Sequence, residues 1–419
     1  MRHLETQLSR HERNLLTITV VLSLSVAGSP QNVDATALDE LPAPNLQQVE
    51  PQVAERLRER RQQVAEHLGS GAAWGAYAMS LDVHDFKAEA LQGYERAATL
   101  DPGEPRWPYF RATLLAERGD PEANAWFERA LRLAPRYLPL QIRRGNHLLA
   151  TGELTAARAA FGAASGSSRE LATHAHLGLA RVALAMGDLA DARVQAQRSL
   201  SQEPRHRDAR HLLAEILRQL DQPEQAAVER RRAELTESSI SLPDPMAVKL
   251  FEEGVSSFWH HKRGRLYLIG GDFARAAEAF REALAISPRA EFHAGLGEAL
   301  LRRGQLEEAE AALRAALASQ PDNALAASHL GLTLWRRGDP SAAILMLEQA
   351  IRLPRGERAA TLEILAAAYE AAGHLGQAVL TAERARDLAQ EAGQQGLADR
   401  LAHSLQRYRT QDRRADGAG

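Results

Sequence analysis

The chain has 419 residues, enough for two or three compact domains or for one repeat array whose core grows with every added unit. It contains no cysteine, which excludes disulfides, thiolate metal sites, covalent haem attachment and a cysteine nucleophile. The formal net charge of -3 gives no global attraction to nucleic acid or to an anionic membrane. Alanine and leucine dominate and aromatic residues make up only 5% of the chain, a composition that favours helices over strands.

The N-terminus predicts an export signal. Arg2, Arg10 and Arg13 precede an apolar run over residues 15–28, and small polar residues follow it. The run is shorter than the roughly 20 residues that span a bilayer, but it has the length of a signal peptide's apolar region. We therefore expect a periplasmic or secreted bacterial protein whose residues 1–28 are a signal peptide, or an inner-membrane anchor through residues 15–28 if they are not cleaved. A cytosolic chain with an unusual leader is the remaining alternative.

A period of about 34 residues runs through the rest of the chain. In three units an alanine, a bulky residue, a second alanine and a proline follow one another at spacings of four, three and five. These units are Ala90, Tyr94, Ala97 and Pro102; Ala276, Phe280, Ala283 and Pro288; and Ala309, Leu313, Ala316 and Pro321. Small residues let two helices approach, bulky residues fill the gap between them, and proline ends a helix. Each period therefore predicts a pair of antiparallel helices.

These residues resemble the tetratricopeptide repeat, a 34-residue helix pair. The resemblance covers roughly residues 71–387 and implies an all-α, right-handed superhelical solenoid of about nine antiparallel helix-pair repeats. One interval, from Ala233 to Ala283, is 50 residues long and contains Pro243 and Pro245, which predicts a joint between two arrays. Whether this joint is a hinge stays open.

The predicted organisation has seven parts. They are the signal or anchor at 1–28, a Pro/Asn/Gln-rich linker at 29–50, an N-terminal array of about five repeats at 51–234, the joint at 235–256, a C-terminal array of about four repeats at 257–387, a capping helix at 388–410 and a disordered tail at 411–419.

No catalytic or metal site is predicted. Histidine pairs such as His174 with His176 lack the spacing of a zinc motif, and no phosphate loop, nucleophile elbow or dinucleotide fingerprint occurs. We therefore expect no enzyme activity, no cofactor and no small-molecule substrate. The tryptophans are interpreted as packing residues, namely Trp74, Trp107, Trp126, Trp259 and Trp335.

The resemblance also implies a concave groove lined by the first helix of each pair. Aligning the units on their glycines places a mainly basic set of side chains there: Arg143, Asn146, Arg181, Glu215, Arg218, His261, Lys262 and Arg265. Because arginine binds a carboxylate with two parallel hydrogen bonds, this set favours an extended and acidic protein or peptide partner. Ordinary surface arginine is the alternative. The residues with which related co-chaperones hold a C-terminal carboxylate are absent, since Gly75 and Met79 stand at two of those positions.

The sequence thus predicts a non-catalytic scaffold that binds a partner protein in this groove, in envelope assembly or secretion. A targeting or regulatory subunit of an enzyme complex is the alternative. No nucleic-acid partner is expected, because neither a basic stripe nor a recognition-helix module is evident. Membrane contact is expected only through the N-terminal segment, if it is not cleaved.

Overall fold

A computed structural model describes residues 41–236, 241–354, 356 and 358–416 of the chain. The predicted signal or anchor, most of the predicted linker and the last three residues of the predicted tail lie outside the described residues. Within the described part every regular element is a helix, which confirms the all-α fold class.

The first array consists of helix α1 followed by five helix pairs. The helices are α1 Pro51–Glu66, α2 Gly71–Val83 and α3 Lys87–Leu100, α4 Arg106–Glu117 and α5 Ala123–Leu133, α6 Leu138–Ala150 and α7 Leu154–Ala164, α8 Arg169–Ala185 and α9 Leu189–Gln202, and α10 Arg207–Gln219 and α11 Pro223–Glu234.

A short helix and a second array follow. Helix α12, Pro245–Glu252, lies within the joint. Four pairs and a last helix complete the chain: α13 Ser257–Ile269 and α14 Phe273–Ile286, α15 Ala290–Arg303 and α16 Leu306–Ser319, α17 Ala324–Arg336 and α18 Pro340–Arg352, α19 Ala359–Ala371 and α20 Leu375–Glu391, and α21 Gln395–Asp416.

Aromatic side chains and glycines hold neighbouring pairs together. Phe161 is completely buried, and a Cβ placed on Gly145 or Gly178 would approach its ring to 2.8 or 2.3 Å. Two successive first helices, α6 and α8, therefore pack around this one ring only because both carry glycine at the contact. The packing role predicted for the tryptophans is confirmed for Trp74 and Trp107, which are 2% and 1% exposed.

The turn between the two helices of a pair depends on a second glycine. Gly304 ends α15 in the left-handed conformation, with φ 78°, and its surroundings leave room for a side chain. We expect Gly304→Ala to lower the free energy of unfolding by about 1 kcal/mol, because alanine avoids this conformation. Gly376→Ala in α20 is the control: its position is helical and open, so the substitution should be neutral or stabilising. Equal losses in urea unfolding would contradict the explanation.

The C-terminal end differs from the prediction. Helix α20 continues to Glu391, so the predicted boundary between array and cap at 387 and 388 falls inside a helix. The turn comes at Gly393, with φ 69°, and α21 extends to Asp416, six residues beyond the predicted end of the cap. The prediction of a tail from residue 411 is wrong for residues 411–416, because no glycine or proline interrupts them.

The second array returns to the beginning of the first. Trp259 Nε1 donates a hydrogen bond to the carbonyl oxygen of Val83, 2.5 Å away, and the backbone N–H of Ser257 donates to Glu50 Oε2 at 2.8 Å. At the other end Arg231 Nε, in the fifth pair, donates to Glu391 Oε1, in the ninth, at 2.7 Å. The chain therefore folds back at the joint, and the second array lies beside the first.

Candidate partner-binding face

The joint crosses the first helices of the first array. We call the inner face the surface of α2, α4, α6 and α8 along which residues 241–256 lie. The backbone of Ser241 lies next to the ring of His174 on α8, and Leu242 packs against the hydrophobic cluster of α6, α7 and α8. Further along, the N–H of Val255 donates to His84 Nε2, just after α2, at 3.2 Å. The joint thus runs from the fourth helix pair back to the first.

Asp244 occupies a site built by three side chains of two first helices. Tyr109 Oη, on α4, donates to Asp244 Oδ2, and Tyr137 Oη, at the start of α6, donates to Oδ1 at 2.5 Å. Arg143 Nε donates to Oδ2 at 2.9 Å, and the carboxylate is only 2% exposed. We call Tyr109, Tyr137 and Arg143 the first carboxylate site.

The electrostatics of this site suit an anion. Burial raises the pKa of Tyr109 and Tyr137 above the ordinary value for tyrosine, so both hydroxyls keep their protons and donate them to Asp244. The pKa of Arg143 is also raised: burial acts to lower it, and its contacts with Tyr109 and Asp244 outweigh that effect. A charged guanidinium and two neutral hydroxyls therefore converge on one carboxylate.

Glu253 occupies a second such site. Arg60 donates to both oxygens of its carboxylate, from Nη2 to Oε1 at 2.6 Å and from Nε to Oε2 at 3.0 Å. Ser80 Oγ donates to Oε2 at 2.7 Å, and Arg56 Nη1 lies 3.4 Å from the same oxygen. We call Arg56, Arg60 and Ser80, which belong to α1 and α2, the second carboxylate site.

A cavity of about 650 Å³ lies between α2, α4, α12 and α13. Arg143 and Lys262 both line it, although the sequence places them on different arrays. Lys262 Nζ lies 4.6 Å from the ring centroid of Trp259 and 5.4 Å from that of Phe251, and burial lowers the pKa of this lysine. The return of the chain thus brings together two of the predicted groove residues.

The other predicted groove residues have separate surroundings. Asn146 and Arg181 are exposed on α6 and α8. Arg218 is paired with Glu215 at 2.6 Å, and Arg265 lies 3.7 Å from Glu298. His261 packs between the rings of Phe280 and Phe292, with centroid distances of 5.5 and 5.0 Å. That these residues bind a partner stays a prediction.

A second cavity, of about 860 Å³, lies where the fifth and ninth pairs meet. Basic side chains outnumber acidic ones among the residues that line it: Arg205, Arg207, His211, Arg231, Arg358 and Arg400, against Glu234. Arg205 and Arg207 are exposed. None of the predicted groove residues lines this second cavity.

A pair of histidines near the inner face, His206 buried and His174 half-buried, gives a pH-dependent stability. The rings of His174 and His206 are 5.8 Å apart, and His206 is 1% exposed. Burial lowers the pKa of both histidines, and the charge of His174 lowers the pKa of His206 further. The positive charge of Arg181 also lowers both pKa values. The negative charges of Asp208, for both histidines, and of Glu203, for His206, act in the opposite direction.

A lowered histidine pKa means that the unfolded chain binds the proton more tightly, so stability is complete above about pH 6.5 and falls as the pH drops below it. We expect His206→Gln to reduce this slope by up to about 1.4 kcal/mol per pH unit. Urea unfolding between pH 8 and pH 5 measures it. Parallel profiles for the variant and the original chain would contradict the prediction.

The part of the chain that the structure describes contains neither a metal-binding cluster nor a helix that could span a membrane. There, no group of three or more His, Cys, Asp or Glu side chains is arranged to hold a metal ion. None of the helices in that part has the length and apolar character needed to cross a membrane.

The acidic half of the two sites is not evident from the sequence. Asp244 and Glu253 lie in the joint, whose sequence pattern indicates only a connection. Asp244 followed by Pro245 is the start signal of a helix, and its carboxylate does cap α12 by accepting from the N–H of Ala247 at 3.1 Å. That signal could have identified the helix, but no local pattern shows which surface the helix contacts.

Stacked helix pairs, with small residues at their contacts and left-handed glycines in their turns, define a helical repeat solenoid. A family model described as tetratricopeptide repeat matches residues 142–200, 177–236 and 261–324. The chain contains tetratricopeptide repeats over these residues. Its repeats are those of a protein–protein interaction scaffold. No curated protein matches the sequence.

Among solved structures, the chain is similar to MamA of Desulfovibrio magneticus, with 18% identity, 39% of this chain and 93% of that chain covered, and a TM-score of 0.37. It is also similar to a tetratricopeptide repeat protein of Parabacteroides merdae, with 15% identity, 65% of this chain and 99% of that chain covered, and a TM-score of 0.34. For PilF of Pseudomonas aeruginosa the identity is 17%, the covered shares are 54% of this chain and 98% of that chain, and the TM-score is 0.29. None of these three TM-scores reaches 0.5.

Proposed function

We propose that the chain is a non-catalytic scaffold that binds an extended, acidic segment of a partner protein along the first helices of its repeats, in envelope assembly or secretion. One observation carries this proposal. The inner face already holds a stretch of polypeptide, residues 241–256, by directed hydrogen bonds to two carboxylates. A face that holds such a segment within the chain has the chemistry to hold one from another protein.

The charges around the inner face support an acidic partner. Arg181 and Asn146 are exposed beside the path of the joint, and the second cavity adds Arg205 and Arg207. Such exposed arginines act mainly by steering an oppositely charged segment into place and by fixing its position. These exposed arginines would attract the partner's acidic segment, while the two carboxylate sites would bind its carboxylates.

The test is affinity purification of the tagged full-length chain after cross-linking in its own cells, together with a variant carrying Asn146→Glu and Arg181→Glu. The matched control is Arg198→Glu, because Arg198 is an exposed arginine on the second helix α9. We expect one dominant protein partner that the control retains and the double variant loses. A partner retained by both variants would remove the inner face as its site, and recovery of no partner would contradict the scaffold function.

Export is the second part of the proposal. The apolar run at 15–28 supports it, and cleavage after this run would release the repeats into the periplasm. Cell fractionation with N-terminal sequencing of the mature chain is the test. We expect a periplasmic protein that begins after about residue 28, and a full-length chain in the cytosolic fraction would contradict export.

A further inference from the structure

The joint contacts the inner face as a bound ligand would. Asp244 and Glu253 each receive hydrogen bonds from side chains of two different helices, and both carboxylates are nearly buried, at 2% and 12% exposure. A simple connection between two arrays requires neither feature. Charged side chains are rarely so buried unless they are specifically paired. The two sites are therefore built for carboxylates.

Helix α12 itself buries little apolar surface. Helix α12 has eight residues, and Ala247 is the one residue within it that is fully buried. Val248 is 51% exposed, and Phe251 is only half-buried. An isolated helix of this length is unstable in water. The helix thus stays docked mainly through the carboxylates at its two ends, Asp244 and Glu253, so a competitor that fills the same two sites can displace it.

We propose that the joint is a resident intrachain ligand of the inner face, and that a partner's acidic segment replaces it at the two carboxylate sites. This inference rests on the proposed function and specifies it. The partner segment carries two carboxylates about as far apart as those of Asp244 and Glu253, which have eight residues between them. The residues between them are mostly apolar, as in the joint, where Lys249 and Glu252 are the charged exceptions.

The replacement couples partner binding to the arrangement of the arrays. The joint leads directly into α13, whose Trp259 anchors the second array on Val83. A partner that removes residues 244–253 from the inner face therefore loosens the anchor that follows them. The affinity seen for the partner is reduced by the cost of releasing the joint.

A peptide with the sequence of residues 241–256, labelled with fluorescein, is the probe. It is titrated by fluorescence anisotropy into the full-length chain and into the full-length Asp244→Asn, Glu253→Gln variant. Asparagine keeps the helix cap at position 244 while removing the charge. We expect the variant to bind the peptide at least about tenfold more tightly than the original chain, because its own joint competes less well.

The matched control is the same peptide with asparagine and glutamine at positions 244 and 253. We expect it to bind the variant at least about tenfold more weakly than the unmodified peptide. Equal affinities of the two peptides would overturn the proposal, because the carboxylates would then not determine binding. Failure of the unmodified peptide to bind the folded variant, with folding checked by circular dichroism, would overturn it too.

If the variant does not fold, the original chain decides the question. With about 1 mM peptide, hydrogen exchange of the backbone amides of residues 248–252 should accelerate as the joint is released, and unchanged exchange would overturn the proposal. If light scattering gave the mass of two chains for the original protein, the two carboxylate sites would be assigned to the joint of a second copy. That result would also overturn the proposal.

The two proposals fail in different ways. If a partner is recovered from cells but the peptide does not compete with it, the scaffold function stands and the resident-ligand inference fails. If the peptide binds as expected but no partner is recovered, the carboxylate sites stand and the scaffold function fails.

Discussion

Replacing Trp259 by alanine is expected to cause the largest loss of stability of any single change considered, about 3–5 kcal/mol. The side chain is 8% exposed, stacks on Phe251 with ring centroids 5.0 Å apart and meets Phe258 edge to face at 5.5 Å. Its Nε1 also donates to Val83. Removing it takes away the apolar anchor of the second array. Small-angle scattering should then show an increased radius of gyration, while circular dichroism shows that the helices remain.

The control for this variant is Trp126→Ala. Trp126 is half-buried on the second helix α5, where Arg111 and Arg129 lie over its ring at 4.6 and 5.2 Å. Its loss removes local contacts without touching the junction, so the radius of gyration should not change. An unchanged radius for Trp259→Ala, or an equal increase for both variants, would contradict the role given to Trp259.

The second large effect is expected for Asp244→Ala. This change leaves the guanidinium of Arg143 and the hydroxyls of Tyr109 and Tyr137 without their shared acceptor. Breaking a buried ion pair by removing one partner costs about 3–5 kcal/mol, and we expect a value near 3 because the Arg143 side chain is 31% exposed. The loss is measured by urea unfolding.

Asp339→Ala is the matched control. Asp339 precedes Pro340 and caps α18 in the way that Asp244 precedes Pro245 and caps α12, but it is exposed. It should cost only the value of a helix cap, about 1 kcal/mol. Equal losses for the two variants would show that Asp244 acts as a cap alone, and that the first carboxylate site contributes nothing to holding the joint.

Much of the fold could be predicted from the sequence because the repeat is a local pattern. The small residues, the bulky residues and the closing prolines of each unit act within about 34 residues, and they specify the helix pair and its stacking on the next pair. Tyr94, Phe280 and Leu313 illustrate this, since the pattern assigns these bulky residues to the gap between two helices and all three are completely buried. The end of the ninth unit was placed wrongly because no closing proline marks it.

The position of the second array could not be predicted in this way. It depends on contacts between residues far apart in the chain, such as Arg60 with Glu253 and Arg231 with Glu391. Nothing in the local sequence of the joint distinguishes a linker in solvent from one that lies on the inner face. The predicted groove residues share this difficulty, because Arg143 was counted as available to a partner and the structure pairs it with Asp244.

The central claim is that the joint lies on the inner face of the first array, and hydrogen exchange of the unmodified full-length chain tests it most directly. If α12 is docked, the backbone amides of residues 248–252 should exchange at least about a hundredfold more slowly than those of a free peptide of the same sequence, because a helix of eight residues has no such protection by itself. Exchange at the rate of the free peptide would contradict the claim and would place the joint in solvent.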